Sequence, residues 1–235
     1  MLNANKRAIV VGASRGIGLG LVRELLNQHW EVIATIRDIN QVSTELNQLL
    51  IEFADKLELV EVNLNHVQTV ESLTRQYHEK SINLLLVSAG ILGPEHQHVE
   101  SCTPNEISHL FWVNSIAPVT VARKLLPLMA EKSVIAFMSS RMGSVTLNDD
   151  GNMELYRASK AALNSLTRGF AVNEAIPAQM GVLNLHPGWV QTEMGGSHAP
   201  ISVKQSTTGM VAVIENFMGK NEQRFVDFQG NEIEW

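Results

Sequence analysis

The sequence has little of three features that would each assign it to a particular class of protein. It has one cysteine in 235 residues, which excludes an internal disulfide framework and is compatible with a reducing compartment. Its 18 Lys and Arg are outnumbered by 24 Asp and Glu, and the net charge of −6 argues against a surface for nucleic acid or anionic membranes. Every apolar run is shorter than the roughly 18 residues that span a membrane, and the first is too short for a signal-peptide core. These observations predict a cytoplasmic protein.

Short, β-branched apolar runs alternate along the chain with longer segments of helical period. The predicted strands are Ala8–Val11, Glu31–Ile36, Leu57–Val62, Leu84–Ser88, Val134–Ser139, Val182–His186 and Phe225–Phe228. The predicted helices are Gly18–Asn27, Asn40–Phe53, Val67–Glu79, Asn105–Met129, Tyr156–Ile176 and Val203–Met218. Strands that are apolar on both faces and separated by helices indicate an α/β fold, with one doubly wound parallel sheet and helices on both faces. Because no repeat or Pro/Gly-rich linker divides the chain, residues 1–235 are predicted to form a single domain.

Two predicted loops are longer than a crossover connection requires. Ala89–Pro104 follows the fourth strand and Pro187–Ser202 follows the sixth. Ligands of an open parallel sheet bind outside the carboxyl ends of its strands, where both loops begin. We therefore expect these two loops to border the substrate.

A glycine-rich turn joins the first predicted strand to the first helix. It reads Gly12-Ala13-Ser14-Arg15-Gly16-Ile17-Gly18. Glycines at such a junction permit a tight turn and let backbone N–H groups approach a pyrophosphate at the helix N-terminus. The spacing G-x-x-x-G-x-G differs from the better-known G-x-G-x-x-G, and many βα turns are rich in glycine. Its position at the first strand-to-helix junction favours a dinucleotide-binding site.

The end of the second strand bears on the choice between NAD and NADP. NAD-binding proteins usually present a carboxylate there, about 20 residues after the glycines, to the ribose 2′-hydroxyl. Here Ile36 is followed by Arg37, and Arg15 lies in the glycine turn. Guanidinium groups suit a 2′-phosphate, so the pattern favours NADP(H) over NAD(H). The alternatives are that both arginines are solvated surface charges, or that Asp38 pairs with Arg37 or turns to the ribose.

A phenol and an ammonium are placed one helical turn apart in the segment YRASKAAL, at Tyr156 and Lys160. Ser140 follows a strand end, and Asn114 lies inside an otherwise apolar helix, where a carboxamide needs a partner. Tyr156 would protonate a carbonyl oxygen, with its pKa lowered by Lys160 and by a cationic nicotinamide ring. Ser140 would hold that oxygen, Lys160 would also contact the ribose, and Asn114 would support a water chain. The small residues around the pair are expected to leave room for the cofactor.

These motifs resemble those of the short-chain dehydrogenase/reductase family over essentially the whole chain. The matching residues are Gly12, Gly16 and Gly18 of the cofactor motif and Asn114, Ser140, Tyr156 and Lys160 of the Asn-Ser-Tyr-Lys tetrad. The segments FMSSRMGS, YRASKAALN and HPGWVQTEMGG are most similar to the C-factor and sniffer branch of carbonyl reductases. The resemblance implies a Rossmann-type fold and NADPH-dependent reduction of a carbonyl.

The resemblance also implies which residues bind the cofactor. They are Gly12, Ser14, Arg15, Gly16, Ile17, Gly18, Arg37, Asn63, Leu64, Ser88, Ala89, Gly90, Tyr156, Lys160, Pro187, Gly188, Val190 and Thr192. Two positions depart from the family pattern: Ser88 stands where asparagine is usual, and Asn63 stands where an acidic residue often binds the adenine amino group. An amide can still accept that hydrogen bond. Ser140 aligns better than Ser139 as the catalytic serine, although the spacing leaves both open.

The function implied is that of an NADP(H)-dependent oxidoreductase that reduces a small aldehyde or ketone. Two alternatives remain: an NADP(H)-binding signalling protein of C-factor type that acts through partners, and an NAD-linked alcohol dehydrogenase. In the family, the helices equivalent to Asn105–Met129 and Tyr156–Ile176 often form a dimer contact, which implies a homodimer or homotetramer. His96 and His98 have a metal-binding spacing but no evident third ligand, so no metal site is predicted.

Overall fold

The computed structural model describes residues 6–235, so the first five residues of the predicted domain lie outside the described part of the chain. Its strands form one parallel sheet in the order β3-β2-β1-β4-β5-β6-β7. They are β1 Arg7–Val11, β2 Glu31–Ile36, β3 Leu57–Glu61, β4 Ile82–Val87, β5 Met129–Met138, β6 Gly181–His186 and β7 Gln223–Asp227. The order reverses between β1 and β4, which creates the crevice where ligands of such sheets bind.

Helices cover both faces of the sheet. They are α1 Gly16–Asn27, α2 Thr44–Glu52, α3 Glu71–Gln76, α4 Pro104–Phe111, α5 Ala117–Leu125, α6 Glu154–Phe170 and α7 Val203–Phe217. A π-helical turn, Trp112–Ile116, joins α4 to α5, and a second one, Ala171–Ala175, extends α6. No helix within residues 6–235 is long and apolar enough to cross a membrane.

Alternate residues of each central strand enter two separate hydrophobic layers. In β1, Ala8 and Val10 belong to the layer that contains the buried residues of α1, α2 and α7. Ile9 and Val11 belong to the layer that contains those of α3, α5 and α6. Successive side chains of a strand point to opposite faces, so a strand covered on both sides must be apolar throughout. The predicted α/β, doubly wound, Rossmann-type fold is confirmed.

Two of the predicted helices require correction. The segment predicted as a helix over Asn105–Met129 ends in a 3₁₀ turn, Leu126–Leu128, and Met129 already pairs with Ile82 as the first residue of β5. Pro127 cannot supply a helical N–H, which favours the end of the helix there. The segment predicted as a helix over Val67–Glu79 is a kinked 3₁₀ helix, Leu64–Val70, followed by α3, which ends at Gln76.

Candidate active site

The predicted cofactor and catalytic residues converge at the carboxyl ends of β1, β4, β5 and β6. Gly12 follows β1, and the backbone N–H groups of Ser88 and Ala89, after β4, donate to the Val11 carbonyl at 2.9 and 3.1 Å. Ser140 follows β5, and Pro187 follows β6. Parallel strands present all their carboxyl ends at one edge, so residues far apart in the sequence meet there.

At two of its glycines, Gly12 and Gly18, the turn is shaped by close contacts that leave no room for a side chain. Gly12 has φ +88°, and a Cβ there would lie 2.8 Å from Ala89. A Cβ at Gly18 would lie only 2.0 Å from the Gly12 carbonyl oxygen. Among the described residues, none caps the N-terminus of α1 with its side chain, and the first turn contains no acidic residue. This turn therefore fits a bound anion such as a pyrophosphate, which would meet backbone N–H groups and the positive end of the helix dipole.

The glycine turn faces the loop that follows β6. A Cβ built on Gly16 would lie 3.5 Å from Cγ2 of Thr192. Arg15 forms an exposed ion pair with Glu193 of that loop. Thr192 Oγ1 accepts a hydrogen bond from the Gly195 N–H at 3.0 Å, which orders the loop internally.

Other predicted cofactor residues of the loop after β6 contact α7 and the residue Ile201 that precedes it. The Pro187 carbonyl accepts a hydrogen bond from Ser206 Oγ of α7 at 2.6 Å. Gly188 has φ +84°, where a Cβ would lie 2.4 Å from Ile201. Val190 is buried and forms a bridge with Ile201. The start of this loop is therefore closely packed against the rest of the protein.

Arg37, the residue that follows β2, is exposed to solvent. Asp38, the competing carboxylate, accepts hydrogen bonds from the Asn40 N–H at 2.9 Å and from Gln41 Nε2 at 2.8 Å. The hydrogen bond from the Asn40 backbone is the largest of the effects that lower the Asp38 pKa, and the charge of Arg37 is the smallest. Asp38 thus stabilises its own turn.

The other residues predicted to bind the cofactor make contacts within the protein. Asn63 Oδ1 accepts a hydrogen bond from the Asn65 N–H at 3.0 Å, and Leu64 is buried with its carbonyl bonded to Trp112 Nε1 at 2.8 Å. Ile17 packs against the core, and the Ser14 carbonyl accepts from Ser43 Oγ at 3.1 Å. Asn63 retains a second lone pair on its amide oxygen, so its expected contact stays a prediction.

The structure distinguishes between the two candidate catalytic serines. Ser139 Oγ donates to Asn164 Oδ1 at 2.7 Å inside the core. Ser140 is hydrogen-bonded to Tyr156, which lies in the first turn of α6. Successive residues at a strand end point in opposite directions, so only one of the two serines can face Tyr156. That residue is Ser140.

Lys160 is buried beside Tyr156. Its Nζ is 5.8 Å from the centroid of the Tyr156 ring and donates to the Met138 carbonyl at 2.9 Å. Burial lowers the pKa of Lys160 from 10.5 to about 8 because the ammonium has lost its hydration. A Cβ on Gly90 would lie 3.3 Å from Asn114 Oδ1 and 3.4 Å from Lys160 Nζ, so Gly90 packs closely against both side chains.

The expectation that Lys160 lowers the Tyr156 pKa requires correction. Burial raises the pKa of Tyr156 from 10.0 to about 12, and the hydrogen bond from Ser140 only partly opposes this. Desolvation dominates because a phenolate in this enclosed position would lose its hydration. The Lys160 ammonium is itself desolvated and directs a proton at the Met138 carbonyl. Tyr156 is therefore a protonated phenol at neutral pH.

Asn114 lies in the π-helical turn between α4 and α5 and is fully buried. Its Oδ1 accepts from the Ile91 N–H at 2.8 Å, and its Nδ2 donates to the Ile91 carbonyl at 2.8 Å and to Ser159 Oγ at 3.0 Å. Single π-turns are frequent at functional sites. Asn114 thus joins the loop after β4 to α6, and its expected role in a water chain stays a prediction.

Two residues of the site escaped the sequence reasoning. Ser159, expected only to be small, is fully buried and donates from Oγ to the Tyr156 carbonyl at 2.8 Å. Its position in the sequence, between Tyr156 and Lys160, could have indicated that Ser159 belongs to the site. Gln97 contacts the Tyr156 N–H from a loop 59 residues earlier, and no local pattern indicates such a contact.

The histidines do not form a metal site within residues 6–235, where no cluster of three His, Cys, Asp or Glu side chains is arranged to hold a metal ion. His96 Nε2 lies 3.7 Å from Glu106, and His98 Nδ1 lies 3.9 Å from Glu154. His186, which precedes Pro187, is partly buried, and burial lowers its pKa to about 4.

The chain belongs to the short-chain dehydrogenase family. The family model described as short chain dehydrogenase matches residues 6–200. The glycine turn and the arrangement of Ser140, Tyr156 and Lys160 lie within that range. The family predicted from the sequence is confirmed.

Individual relatives place the chain near the predicted branch of carbonyl reductases. It is 41% identical to a carbonyl reductase from Pseudomonas aeruginosa PAO1 in complex with NADP, with a TM-score of 0.91 over 99% of this chain and 100% of that chain. It is 31% identical to the carbonyl reductase Sniffer of D. melanogaster, with a TM-score of 0.85 over 99% of this chain and 100% of that chain. It is 38% identical over 132 residues to C-signal of Myxococcus xanthus, across 55% of this chain and 79% of that protein.

Proposed function

We propose that this protein is an NADP(H)-dependent carbonyl reductase that reduces a small aldehyde or ketone. The observation that carries the proposal is the geometry of the site, in which Tyr156 is hydrogen-bonded to Ser140 and Lys160 Nζ lies 5.8 Å from the centroid of the Tyr156 ring. The likeness to an NADP-bound carbonyl reductase over 99% of the chain supports the same reaction class and cofactor.

Each residue of the site has a separate task in this reaction. When bound, NADPH supplies the hydride that reduces the carbonyl carbon. Ser140 holds the carbonyl oxygen, and Tyr156 gives that oxygen its proton as the negative charge develops. Lys160 would contact the ribose of the cofactor, and its charge in a dry environment acts on the developing negative charge more strongly than it would in water. Asn114 holds the loop after β4 against α6.

The NAD-linked alcohol dehydrogenase is the weaker alternative. The carbonyl reductase that is 41% identical to this chain was solved in complex with NADP, which favours NADP(H) as the cofactor.

Turnover of a carbonyl panel tests the proposed function directly. The purified protein is mixed with NADPH and with small aldehydes and ketones of graded polarity, and the loss of NADPH absorbance is followed. We expect saturable turnover of several apolar carbonyls. Binding of NADPH without turnover of any carbonyl would reject the enzyme and leave the signalling alternative.

Cofactor preference gives a separate prediction. Arg37→Ala should weaken NADPH binding about tenfold and leave NADH binding within twofold, because a charge-assisted bond to the 2′-phosphate is worth about 1.5 kcal/mol. Quenching of tryptophan fluorescence measures both affinities. The control is Arg75→Ala, which removes an exposed arginine from α3. Equal affinities of the unchanged protein for NADPH and NADH would reject the preference and favour the NAD-linked alternative.

We also propose that the protein forms a homodimer or homotetramer through the surface of α4, α5 and α6. Four large apolar residues are exposed on these helices and their π-helical turns: Ile107, Ile116, Leu166 and Val172. Gly169 lies between the last two, and nothing described lies within 4 Å of a Cβ built there. A glycine inside a helix costs about 0.5–1 kcal/mol relative to alanine, which is offset if another helix must approach closely.

A charge on this surface should break the assembly. Leu166→Lys is expected to give a monomer in sedimentation velocity, because an unpaired ammonium in an apolar contact costs several kcal/mol. Ile51→Lys is the control, since Ile51 is 80% exposed on α2, away from this surface. Dissociation by both variants, or by neither, would contradict the proposed surface.

A signalling function remains the second candidate, and the likeness to C-signal is the observation that favours it. In that case the cofactor-bound protein would act through a partner, and catalysis would be dispensable. A partner interaction that persists in Tyr156→Phe but is lost when Gly18 is replaced by valine would support this candidate.

A further inference from the structure

Gln97 is an unusual residue in the loop between β4 and α4. Its side chain is polar, yet the residue is only 7% exposed. Its backbone has φ +49°, in the left-handed region that residues other than glycine seldom adopt. Such a conformation costs of order 1 kcal/mol or more and persists only where surrounding contacts hold it.

The contacts of Gln97 use both N–H groups and the oxygen of its side-chain amide. Nε2 donates to the Leu92 carbonyl at 3.0 Å and to the Pro94 carbonyl at 2.7 Å. Oε1 accepts from the Tyr156 N–H at 3.0 Å, and the backbone carbonyl of Gln97 accepts from the Leu155 N–H at 3.4 Å. One residue thus joins its own loop to the first turn of α6.

Helix α6 needs acceptors at this end. The first N–H groups of any helix have no partner within the helix and are usually satisfied by an N-cap side chain. The N-cap residue of α6 is Met153, which has φ +57° and no side-chain oxygen. Gln97 takes the place of that cap from a distant part of the chain. A further hydrogen bond connects the loop to α6, because the Glu154 carboxylate accepts from the Val99 N–H at 3.1 Å.

The same loop is attached to the site at a second point. Ile91, near its start, forms two hydrogen bonds with the side chain of Asn114. The loop therefore connects Asn114 to the backbone of Tyr156, the residue whose phenol must meet the substrate.

We propose that Gln97 is a positioning residue for Tyr156, which acts as an N-cap from outside the helix and sets the location of the phenol; this rests on the proposed carbonyl reduction. A shift of about 1 Å in a reacting group can lower the rate about 100-fold. Fraying of the first turn of α6 would move Tyr156 by such amounts while leaving the cofactor residues in place.

Two variants at this position test the proposal. Gln97→Met keeps the length and burial of the side chain but removes its hydrogen bonds. Gln97→Asn retains an amide that is one methylene too short to reach the Tyr156 N–H, and asparagine tolerates the left-handed backbone better, so this variant should fold even if the first does not. Thr103→Ala is the control, since it removes the N-cap of α4 at the end of the same loop.

Two readouts are compared for each variant. Hydrogen exchange by NMR reports the protection of the Tyr156 amide and requires neither cofactor nor turnover. Steady-state kinetics report kcat separately from the dissociation constant of NADPH. We expect both Gln97 variants to exchange the Tyr156 amide at least about tenfold faster and to lower kcat about tenfold, with NADPH affinity within twofold. Thr103→Ala should lower the melting temperature but change neither quantity.

The outcomes separate the inference from the proposed function. Unchanged exchange at Tyr156 would show that Gln97 is not the cap. Faster exchange with unchanged kcat would make it a purely structural cap and overturn the positioning role. If the unchanged protein reduces no carbonyl, the proposed function fails and the positioning role fails with it, while the exchange data still decide whether Gln97 caps α6.

Discussion

Tyr156→Phe is expected to lower kcat for carbonyl reduction by about 10³-fold and to leave NADPH affinity within twofold. The change removes one oxygen, which is the proton donor, and retains the ring that fills the space. General acid catalysis by a positioned side chain is worth about 10²–10⁴-fold, and Tyr156 is the phenol that Ser140 contacts. Initial rates with saturating NADPH and the best carbonyl of the panel measure the effect.

The second tyrosine of the chain supplies a matched control. Tyr77 bonds to Glu58 at the opposite end of the sheet, where α3 leads into β4. Tyr77→Phe should therefore retain full turnover. If Tyr156→Phe turned over every accepted carbonyl at the unchanged rate, the proposed acid would be wrong, and loss of NADPH binding would show that the variant had damaged the cofactor site instead.

Lys160→Met is expected to lower kcat at least about 10²-fold and, at neutral pH, to make the protein without cofactor more stable. The stability gain follows from burial, which lowers the Lys160 pKa from 10.5 to about 8. At about 1.4 kcal/mol per pKa unit, keeping this ammonium charged costs roughly 3 kcal/mol at neutral pH. Loss of the hydrogen bond to the Met138 carbonyl offsets about 1 kcal/mol of the gain.

The pH dependence distinguishes this explanation from a general packing effect. Between pH 8 and 10.5 the unfolded chain holds a proton on Lys160 that the folded chain has released. The Lys160 contribution to the free energy of unfolding therefore rises with pH through this window. The gain in the free energy of unfolding from Lys160→Met should be full below pH 8 and should shrink toward pH 10.5 in urea unfolding experiments.

Lys220→Met, at an exposed position, is the control and should show no such change. A Lys160→Met protein that is less stable at pH 7 would contradict the cost of the buried charge.

Both predictions depend on the exclusion of water from the site. Burial shifts the pKa values of both Lys160 and Tyr156 toward their neutral forms, because the enclosing residues exclude water. The same exclusion strengthens the effect of each charge on a reacting oxygen. The exclusion of water that lowers the stability of the folded protein at Lys160 is therefore the same property that supports the proposed role of Tyr156.

Much of the fold and part of the site could be predicted because they depend on local patterns. The predicted strand Glu31–Ile36 has the same bounds as β2. The five residues after Glu31 are all buried, and this continuous pattern differs from the period of a helix with one exposed face. The glycine turn was placed correctly at the junction of β1 and α1, where backbone conformation restricts the residue type. The beginning of β5 was missed because Glu131 and Lys132 interrupt the apolar run, although the strand continues through them.

Sequence patterns are enough to predict the sheet, the helices that cover it, the family and the residue types of the proposed site, because hydrophobic period, glycine conformation and motif spacing are properties of neighbouring residues. The tertiary structure shows that Ser140 and not Ser139 meets Tyr156, that Asp38 accepts hydrogen bonds within its own turn, and that Gln97 accepts a hydrogen bond from the Tyr156 N–H. It also reversed the expected direction of the Tyr156 pKa shift. These outcomes depend on which groups meet across distant segments and on how much water they exclude, and neither quantity is encoded in local spacing.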